Sequence, residues 1–234
     1  MMDFYKLCKN GDTDLVRSTI KKLLTESGSG PGPGPISKSK LNNGLIGACY
    51  GNRIEIAQLI IDLGAYDFDQ GLVAAVSKGN VNLINLMIMY GADVRRGLFE
   101  ACKKKKHIDL VKLMIKDNNI SNNDLNNCLR VACSKGHLNI IKLLIDHGAD
   151  DFTGGLVQVA VYFNYKKDSI DTIQLLIDNG ADFIKTMCGG KIFKILYECL
   201  LKRVLMKLLL KRLALVKLQQ YLDDDCISIV MDYF

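Results

Sequence analysis

Eight cysteines and three histidines are among the residues of this 234-residue chain whose side chains could catalyse a reaction or bind a metal. Zinc sites commonly use cysteines in closely spaced pairs, and the sequence contains no Cys-x-x-Cys pair. Covalent catalysis needs a nucleophile beside a base, yet no Ser, Cys or carboxylate recurs at a regular distance from His107, His137 or His147. We therefore predict that the protein is not an enzyme and needs neither metal nor cofactor.

The cysteine positions instead indicate a packing role. Four cysteines share one position, four residues after the apolar residue that opens a similar segment: Cys8, Cys49, Cys102 and Cys133. Val76 and Ala160 take that position in two other segments. Because the position accepts Cys, Val or Ala, it selects a compact apolar side chain rather than a metal ligand. Cys199 is a candidate fifth member, and the remaining three cysteines fall outside the register: Cys128, Cys188 and Cys226.

Two lysine-bearing stretches could bind phosphate or nucleic acid. Gly189-Gly190-Lys191 lacks the upstream glycine and the following Ser or Thr of a phosphate-binding loop, so we interpret it as a turn. Residues 103–106 are four consecutive lysines in a chain of net charge +6, and the favoured interpretation is a solvated edge. Contact with an anionic surface or the nuclear-import machinery is the alternative. The basic residues form no stripe with interleaved aromatic residues, which argues against nucleic acid as the partner.

The sequence shows no segment that would hold the chain in a membrane. No run of 18 uncharged apolar residues occurs, and the beginning of the chain lacks the apolar stretch of a secretory signal. We therefore expect the protein to work in the cytoplasm, that of a host cell if the protein is viral, with the nucleus as the alternative.

The elements that carry these residues form a repeat. Four segments end alike after an apolar run, at residues 63–65, 90–93, 147–150 and 179–182. Aligning the apolar residue that opens each repeat gives Phe4, Leu45, Leu72, Leu98, Leu129 and Leu156. Apolar residues then recur at spacings of three and four, which predicts two amphipathic helices in each repeat.

Three further positions support this register. The third residue after the opening residue is small in four repeats: Ala48, Ala75, Ala101 and Ala132. The seventh is Gly11, Asn52, Gly79 or Gly136, and Gly and Asn tolerate the left-handed conformation that ends a helix. The eleventh is apolar: Leu15, Ile56, Leu83 or Ile140. One helix pair buries too little apolar surface to offset the ordering of its chain, so neighbouring pairs must stack.

The segment from residue 129 to residue 150 resembles the ankyrin repeat, and the resemblance covers roughly residues 2–26 and 40–184. The abundance of Lys, Asn and Ile and the short connection between repeats are similar to ankyrin proteins of giant DNA viruses. Gly64 to Gly91 spans 27 residues, whereas an ankyrin repeat typically has about 33. The missing residues fall where ankyrins carry a β-hairpin finger. The resemblance therefore implies an all-α ankyrin-type helical repeat solenoid with shortened β-hairpin fingers.

Four regions follow from the register. Residues 1–26 form a first ankyrin-like unit, residues 27–39 a Gly/Ser/Pro-rich flexible insertion, residues 40–184 the main ankyrin-like repeats, and residues 185–234 a degenerate repeat with a C-terminal helical cap. The last part, residues 222–234, also faintly resembles the start of an F-box, although Asp223 replaces its proline. An acidic N-cap followed by an amphipathic capping helix is the favoured interpretation of this segment.

The resemblance to ankyrin proteins implies a protein-binding scaffold that contacts its partner through the concave surface of the first helices and the adjoining loops. Exposed positions there are the candidate binding residues: Lys9, Asn10, Tyr50, Ser77, Lys78, Lys103, Lys104, Arg130, Ser134, Lys135, Tyr162 and Phe163. The last two lie in an enlarged turn, where aromatic side chains either pack on a neighbouring turn or anchor a partner. The alternative function is a substrate adaptor that recruits ubiquitin-ligase subunits through residues 222–234.

Overall fold

The computed structural model describes residues 3–26, 36–116, 120–162 and 167–182. These ranges contain twelve α-helices and one short 3₁₀ turn at Lys105–His107, and none of their residues forms a β-strand. The helices are α1 (Phe4–Asn10), α2 (Thr13–Glu26), α3 (Lys38–Gly51), α4 (Ile54–Asp62), α5 (Phe68–Lys78), α6 (Val81–Met89), α7 (Val94–Cys102), α8 (Ile108–Lys116), α9 (Asn122–Lys135), α10 (Leu138–Asp146), α11 (Phe152–Val161) and α12 (Lys167–Asp178). None of these helices has the length and apolar character required to cross a membrane.

The described residues fall into two compact units. The first comprises the described part of residues 1–101 and 106–119, and the second comprises the described part of residues 102–105 and 120–234. In the first unit, α1, α3 and α5 pack successively side by side, and α3–α4 and α5–α6 form helix pairs. In the second unit, α9 and α11 pack side by side and pair with α10 and α12. Within each unit, the first helix of one pair therefore lies against the first helix of the next.

The core positions predicted from the register are buried. The opening residues Leu45, Leu72, Leu98, Leu129 and Leu156 have no exposed surface, and Phe4 is nearly as buried. The small residues also have no exposed surface: Ala48, Ala75, Ala101 and Ala132. One position was predicted wrongly: Leu15 is 40% exposed, and the adjacent Val16 takes the buried place in α2. The stacked two-helix repeat is otherwise confirmed in the described residues.

The first helices end where the Gly and Asn positions predicted. Gly11, Asn52, Gly79 and Gly136 follow α1, α3, α5 and α9 with φ angles of 90°, 59°, 80° and 67°. A residue with a Cβ atom is strained in this left-handed region, and Gly and Asn are the residues that tolerate it best. These caps turn the chain into the second helix of each pair.

The backbone of the connection that follows a helix pair donates hydrogen bonds to a side chain in the first helix of the preceding pair. The Oδ1 atom of Asn42 accepts hydrogen bonds from the backbone nitrogens of Tyr66 and Asp67, at 3.0 and 3.2 Å. Asp69, Asn126 and Thr153 accept in the same way from the backbone of Asp93, of Asp150 and Asp151, and of Asp182. We call these four residues the connection acceptors, because each lies three residues before an opening leucine and satisfies the backbone of the next connection.

In these connections, short turns that lead into an N-capped helix take the place of the shortened fingers predicted from the repeat length. Asp67 accepts a hydrogen bond from the backbone nitrogen of Gln70, and Asp151 accepts one from that of Gly154. These aspartates are the N-caps of α5 and α11. A side-chain acceptor at the N-cap satisfies a backbone N–H that the helix itself cannot pair.

A second set of hydrogen bonds joins the start of a second helix to the preceding helix pair. Arg53 Nε donates to the carbonyl oxygen of Lys9 at 3.4 Å, and Asn80 Nδ2 donates to that of Cys49 at 2.9 Å. In the second unit, His137 Nε2 donates to the carbonyl oxygen of Lys103 at 3.0 Å. All three donors stand eight residues after an opening leucine, so this bond is also a feature of the repeat.

Parts of the four predicted regions lie outside the described residues, namely residues 27–35 and 183–234. Of the segment expected to be a flexible insertion, Lys38 and Ser39 already belong to α3. That helix begins there because the hydroxyl oxygen of Ser37 accepts a hydrogen bond from the backbone nitrogen of Lys40.

Candidate protein-binding surface

Three of the predicted binding residues meet in one cluster of the first unit. Lys9 lies in the last turn of α1, Tyr50 lies in the last turn of α3, and Lys78 ends α5. The Nζ atom of Lys9 lies 4.7 Å from the centroid of the Tyr50 ring, and the Nζ atom of Lys78 lies 4.0 Å from it. Ammonium groups at these distances are attracted by the electron-rich face of the ring. We call Lys9, Tyr50 and Lys78 the lysine–tyrosine cluster.

The cluster concentrates positive charge. Both ammonium groups contact the same ring, at 4.7 and 4.0 Å from its centroid, so the two charges lie close together. Neither lysine forms an ion pair with a carboxylate of the described residues. The neighbouring Tyr5 adds no negative charge, because burial, and then Tyr50, raises the pKa of its phenol above the ordinary value. The cluster is therefore positive around neutral pH.

Half-buried apolar residues lie on the same two helices as Tyr50 and Lys78. Ile46 lies one helical turn before Tyr50 on α3, and Val73 lies one turn before Ser77 on α5. Both side chains are half-buried, whereas the leucines that precede them in the sequence are completely buried. The exposed side of these helices thus combines apolar and cationic groups, a mixture that is common at protein interfaces.

The other candidates in the first unit have simpler environments. Asn10 is exposed at the end of α1. Ser77 is half-buried, and its hydroxyl donates to the carbonyl oxygen of Ala74 at 2.8 Å, within its own helix. Ser77 is therefore held against α5, with less capacity to reach a partner than the residues of the lysine–tyrosine cluster.

Most of the second-unit candidates lie on α9 or next to it. Arg130 Nε is 3.0 Å from Asp151 Oδ2. This ion pair links α9 to the N-cap of α11, which gives Arg130 a structural role in addition to any contact with a partner. Ser134 donates to the carbonyl oxygen of Val131 at 2.8 Å, and Lys135 is exposed at the end of α9.

The remaining candidates surround the turns of the second unit. Lys103 is exposed and Lys104 is half-buried. Tyr162 is 59% exposed at the end of α11, so it is available to a partner. Phe163 lies outside the described residues, as does the F-box-like segment 222–234, and both stay sequence predictions.

The cysteines of the repeat register are core residues. Cys8, Cys49 and Cys102 are completely buried, and Cys133 nearly so. Burial raises the pKa of the Cys8 and Cys49 thiols from 9.0 to about 12, which leaves them protonated and unreactive at neutral pH. Cys128, which the register did not explain, is buried in α9, and its hydrogen bond with Cys102 is the main cause of the raised pKa of the Cys102 thiol.

The histidines occupy structural positions. His137 is the N-cap residue of α10, and His147 Nδ1 donates to the carbonyl oxygen of Leu143 at 2.8 Å at the end of that helix. His107 is buried at the turn before α8. Across the part of the chain that the structure describes, no three His, Cys, Asp or Glu residues are grouped closely enough to hold a metal ion.

The members of the lysine–tyrosine cluster were predicted from the sequence, but their contact was not. Lys9 and Tyr50 stand five residues after the opening residue, and Lys78 stands six after it. The connection acceptors were missed altogether. A small polar acceptor three residues before the opening leucine, as in Asn42, Asp69, Asn126 and Thr153, is the signal that could have revealed them.

The stacked helix pairs, their left-handed caps and their buried small residues define an all-α repeat protein. Residues 98–187 match the family described as Ankyrin repeats (3 copies). The fold is similar to that of the human ASB11 ankyrin repeat domain, with a TM-score of 0.53 and 19% identity, covering 78% of this chain and 85% of that domain. The chain therefore has the ankyrin repeat fold that its sequence predicted.

Among viral proteins, the chain resembles the ankyrin repeat protein R600 of Acanthamoeba polyphaga mimivirus. The two are 29% identical over 127 residues, which is 50% of this chain and 35% of the mimivirus protein. The match thus spans about a third of that relative's length. It supports the resemblance to ankyrin proteins of giant DNA viruses that was predicted from composition and repeat length.

Proposed function

We propose that the protein is a non-catalytic scaffold that binds another protein through the exposed side of its first helices. Ankyrin repeats indicate protein–protein interaction, and the finer proposal concerns which surface is used. The lysine–tyrosine cluster is the observation that carries it, because three successive first helices contribute adjacent groups, exposed Lys78 and half-buried Lys9 and Tyr50, to one patch. Aromatic and long cationic side chains at neighbouring positions are typical of interface hot spots.

The backbone beneath this patch is held in place before any partner binds. Arg53 bonds the end of α1, Asn80 bonds the end of α3, and Asn42 fixes the connection before α5. A preorganised surface loses less conformational entropy on association than a flexible one. The repeat therefore supplies a rigid frame whose exposed residues can be selected for a particular partner.

We propose the cytoplasm as the place where this binding occurs. The five cysteines in the described ranges are free thiols, as is usual in a reducing compartment.

The proposal is tested with a partner captured from cells that express the full chain and then purified. Tyr50→Ala and the double variant K9Q/K78Q are titrated against that partner beside the double variant K21Q/K112Q. Lys21 and Lys112 are exposed on the second helices α2 and α8, so the control removes the same charge from elsewhere in the first unit. We expect at least one first-helix variant to weaken binding about tenfold, with the control unchanged. Equal affinity for all four proteins would overturn the proposal.

A further inference from the structure

We infer that the lysine–tyrosine cluster binds the carboxylates of an acidic, leucine-containing peptide segment of the partner. The inference rests on the proposed function and specifies the chemistry that the first-helix surface recognises. Charge complementarity and the apolar residues on the same helices favour this occupant.

The positive charge of the cluster is uncompensated within the described residues. Two ammonium groups share one aromatic ring, and no described carboxylate forms an ion pair with either of them. Other cations of the chain are compensated: Arg95 pairs with Asp93 at 2.8 Å, and Arg130 pairs with Asp151 at 3.0 Å. A carboxylate placed between Lys9 and Lys78 would be attracted by both and would offset their mutual repulsion.

The arrangement of charged and apolar groups favours a peptide over a polyanion. Nucleic acids and anionic membranes are bound by extended tracks of cations, because their charge repeats along a backbone or a surface. In this patch the cations are Lys9 and Lys78, with Arg53 at the Lys9 carbonyl, rather than an extended track. Half-buried Ile46 lies one helical turn before Tyr50, and half-buried Val73 lies on the same helix as Lys78. This pattern matches alternating acidic and aliphatic side chains, which a phosphate backbone does not offer.

The backbone of the site is already held in place by the fold. The carbonyl group of Lys9 is held by Arg53, and the carbonyl group of Cys49, which precedes Tyr50, is held by Asn80. Asp3, the acidic residue of α1's N-cap, is engaged with the backbone nitrogen of Tyr5 at the end of the helix opposite Lys9. The peptide would therefore meet a fixed cationic site without having to displace that carboxylate.

The test measures the fluorescence anisotropy of a labelled peptide of alternating Glu and Leu residues as the full chain is added. A matched peptide with Gln in place of Glu reports the contribution of charge. We expect the Glu peptide to bind more tightly than the Gln peptide, and K9Q/K78Q to weaken its binding about tenfold, as two partly exposed ion pairs allow. K21Q/K112Q should bind as the unaltered chain does, and Tyr50→Phe should bind better than Tyr50→Ala because it keeps the ring. Circular dichroism checks that every variant is folded.

Several results would overturn the inference. One is equal binding of the Glu and Gln peptides, and another is an equal loss in K9Q/K78Q and K21Q/K112Q. A third is tighter, K9Q/K78Q-sensitive binding of a single-stranded oligonucleotide or of phosphatidylserine vesicles, which would assign the cluster to phosphate. If the peptide fails but the captured partner still depends on Tyr50, only this inference falls. If the partner is indifferent to every first-helix substitution, the proposed function falls as well.

Discussion

Asn126 and Asp150 are joined by two reciprocal hydrogen bonds, each 2.8 Å long. The side-chain amide of Asn126 donates to Asp150 Oδ1, and its Oδ1 atom accepts from the backbone nitrogen of Asp150. Hydrogen bonds from Asn126, and then from Asn122, hold the pKa of the Asp150 carboxyl below its usual range. The residues are 24 positions apart, with Asn126 in α9 and Asp150 in the connection that leads to α11, so a polar contact, as well as apolar packing, sets the repeat geometry.

Replacing a connection acceptor should destabilise the protein. Asn42→Ala leaves the backbone N–H groups of Tyr66 and Asp67 without their acceptor at a partly buried site. We expect the free energy of unfolding in urea to fall by about 1–3 kcal/mol. Asn42→Asp should lose less, because Asp69 performs the same task in the next repeat. The exposed neighbour Asn43 provides the control, and a loss in Asn43→Ala as large as in Asn42→Ala would contradict the account.

Gly79 should tolerate asparagine better than alanine. Its φ angle is 80°, and an added Cβ would meet only ordinary van der Waals contact, so the cost arises from the backbone conformation. We expect Gly79→Ala to lower the free energy of unfolding by about 1–2 kcal/mol. Gly79→Asn should cost less, since Asn52 occupies the equivalent cap in the preceding pair with a φ of 59°. The reverse order, measured by thermal unfolding, would show that the cap is not left-handed.

The buried thiols should make the first unit sensitive to alkali. The Cys8 and Cys49 thiols have a pKa of about 12 in the folded chain, against 9.0 when exposed. A thiol with a raised pKa favours folding while it is protonated, so this stability is fully present below pH 9 and is lost as the pH rises toward 12. Each thiol should lower the free energy of unfolding by about 1.4 kcal/mol per pH unit in that window.

The measurement is urea unfolding at about pH 8 and about pH 10, compared with the variant C8A/C49A. Its stability should decline less steeply, because it lacks the two titrating groups while keeping compact apolar side chains. Lysines and tyrosines are the same in both proteins, so their contribution to the decline in stability does not affect the comparison. Parallel declines in the two proteins would show that the thiols are not buried as described.

The small position of the first helix should reject larger side chains. Ala75 has no exposed surface in α5, and an added isobutyl group would have to displace its neighbours. We expect Ala75→Leu to cost about 1–3 kcal/mol of unfolding free energy. Val73→Leu, at a half-buried position of the same helix, is the matched control. Similar stabilities of the two variants would argue against close packing at Ala75.

The sequence predicted the parts of the fold that restrict residue type at each repeat. Leu72 and Ala75 are buried against neighbouring helices, and Gly79 needs a positive φ angle, so each position admits few residues and the pattern is visible. The connection acceptors escaped notice because Asn42 and Thr153 resemble ordinary surface residues. Their partners lie 24 to 29 residues away, and only the folded geometry brings them together.

The residues of the candidate surface were predicted from the sequence, but their contacts were not. Lys9, Tyr50 and Lys78 were selected as exposed first-helix residues, but nothing in their spacing required two lysines to approach one ring. The pairing of Arg130 with Asp151 was also invisible, because a cation on an exposed helix position equally fits a partner contact. A structural ion pair and a partner contact differ in the direction of the side chain, which sequence spacing alone does not determine.

Hydrogen–deuterium exchange of the full chain with and without its purified partner tests most directly whether the first-helix surface is the binding site. We predict that the partner slows exchange at the ends of α1, α3 and α5, in residues 9–11, 50–52 and 77–79, and leaves α4 and α6 unchanged. Protection confined to α4 and α6, with these three helix ends unaffected, would contradict the account.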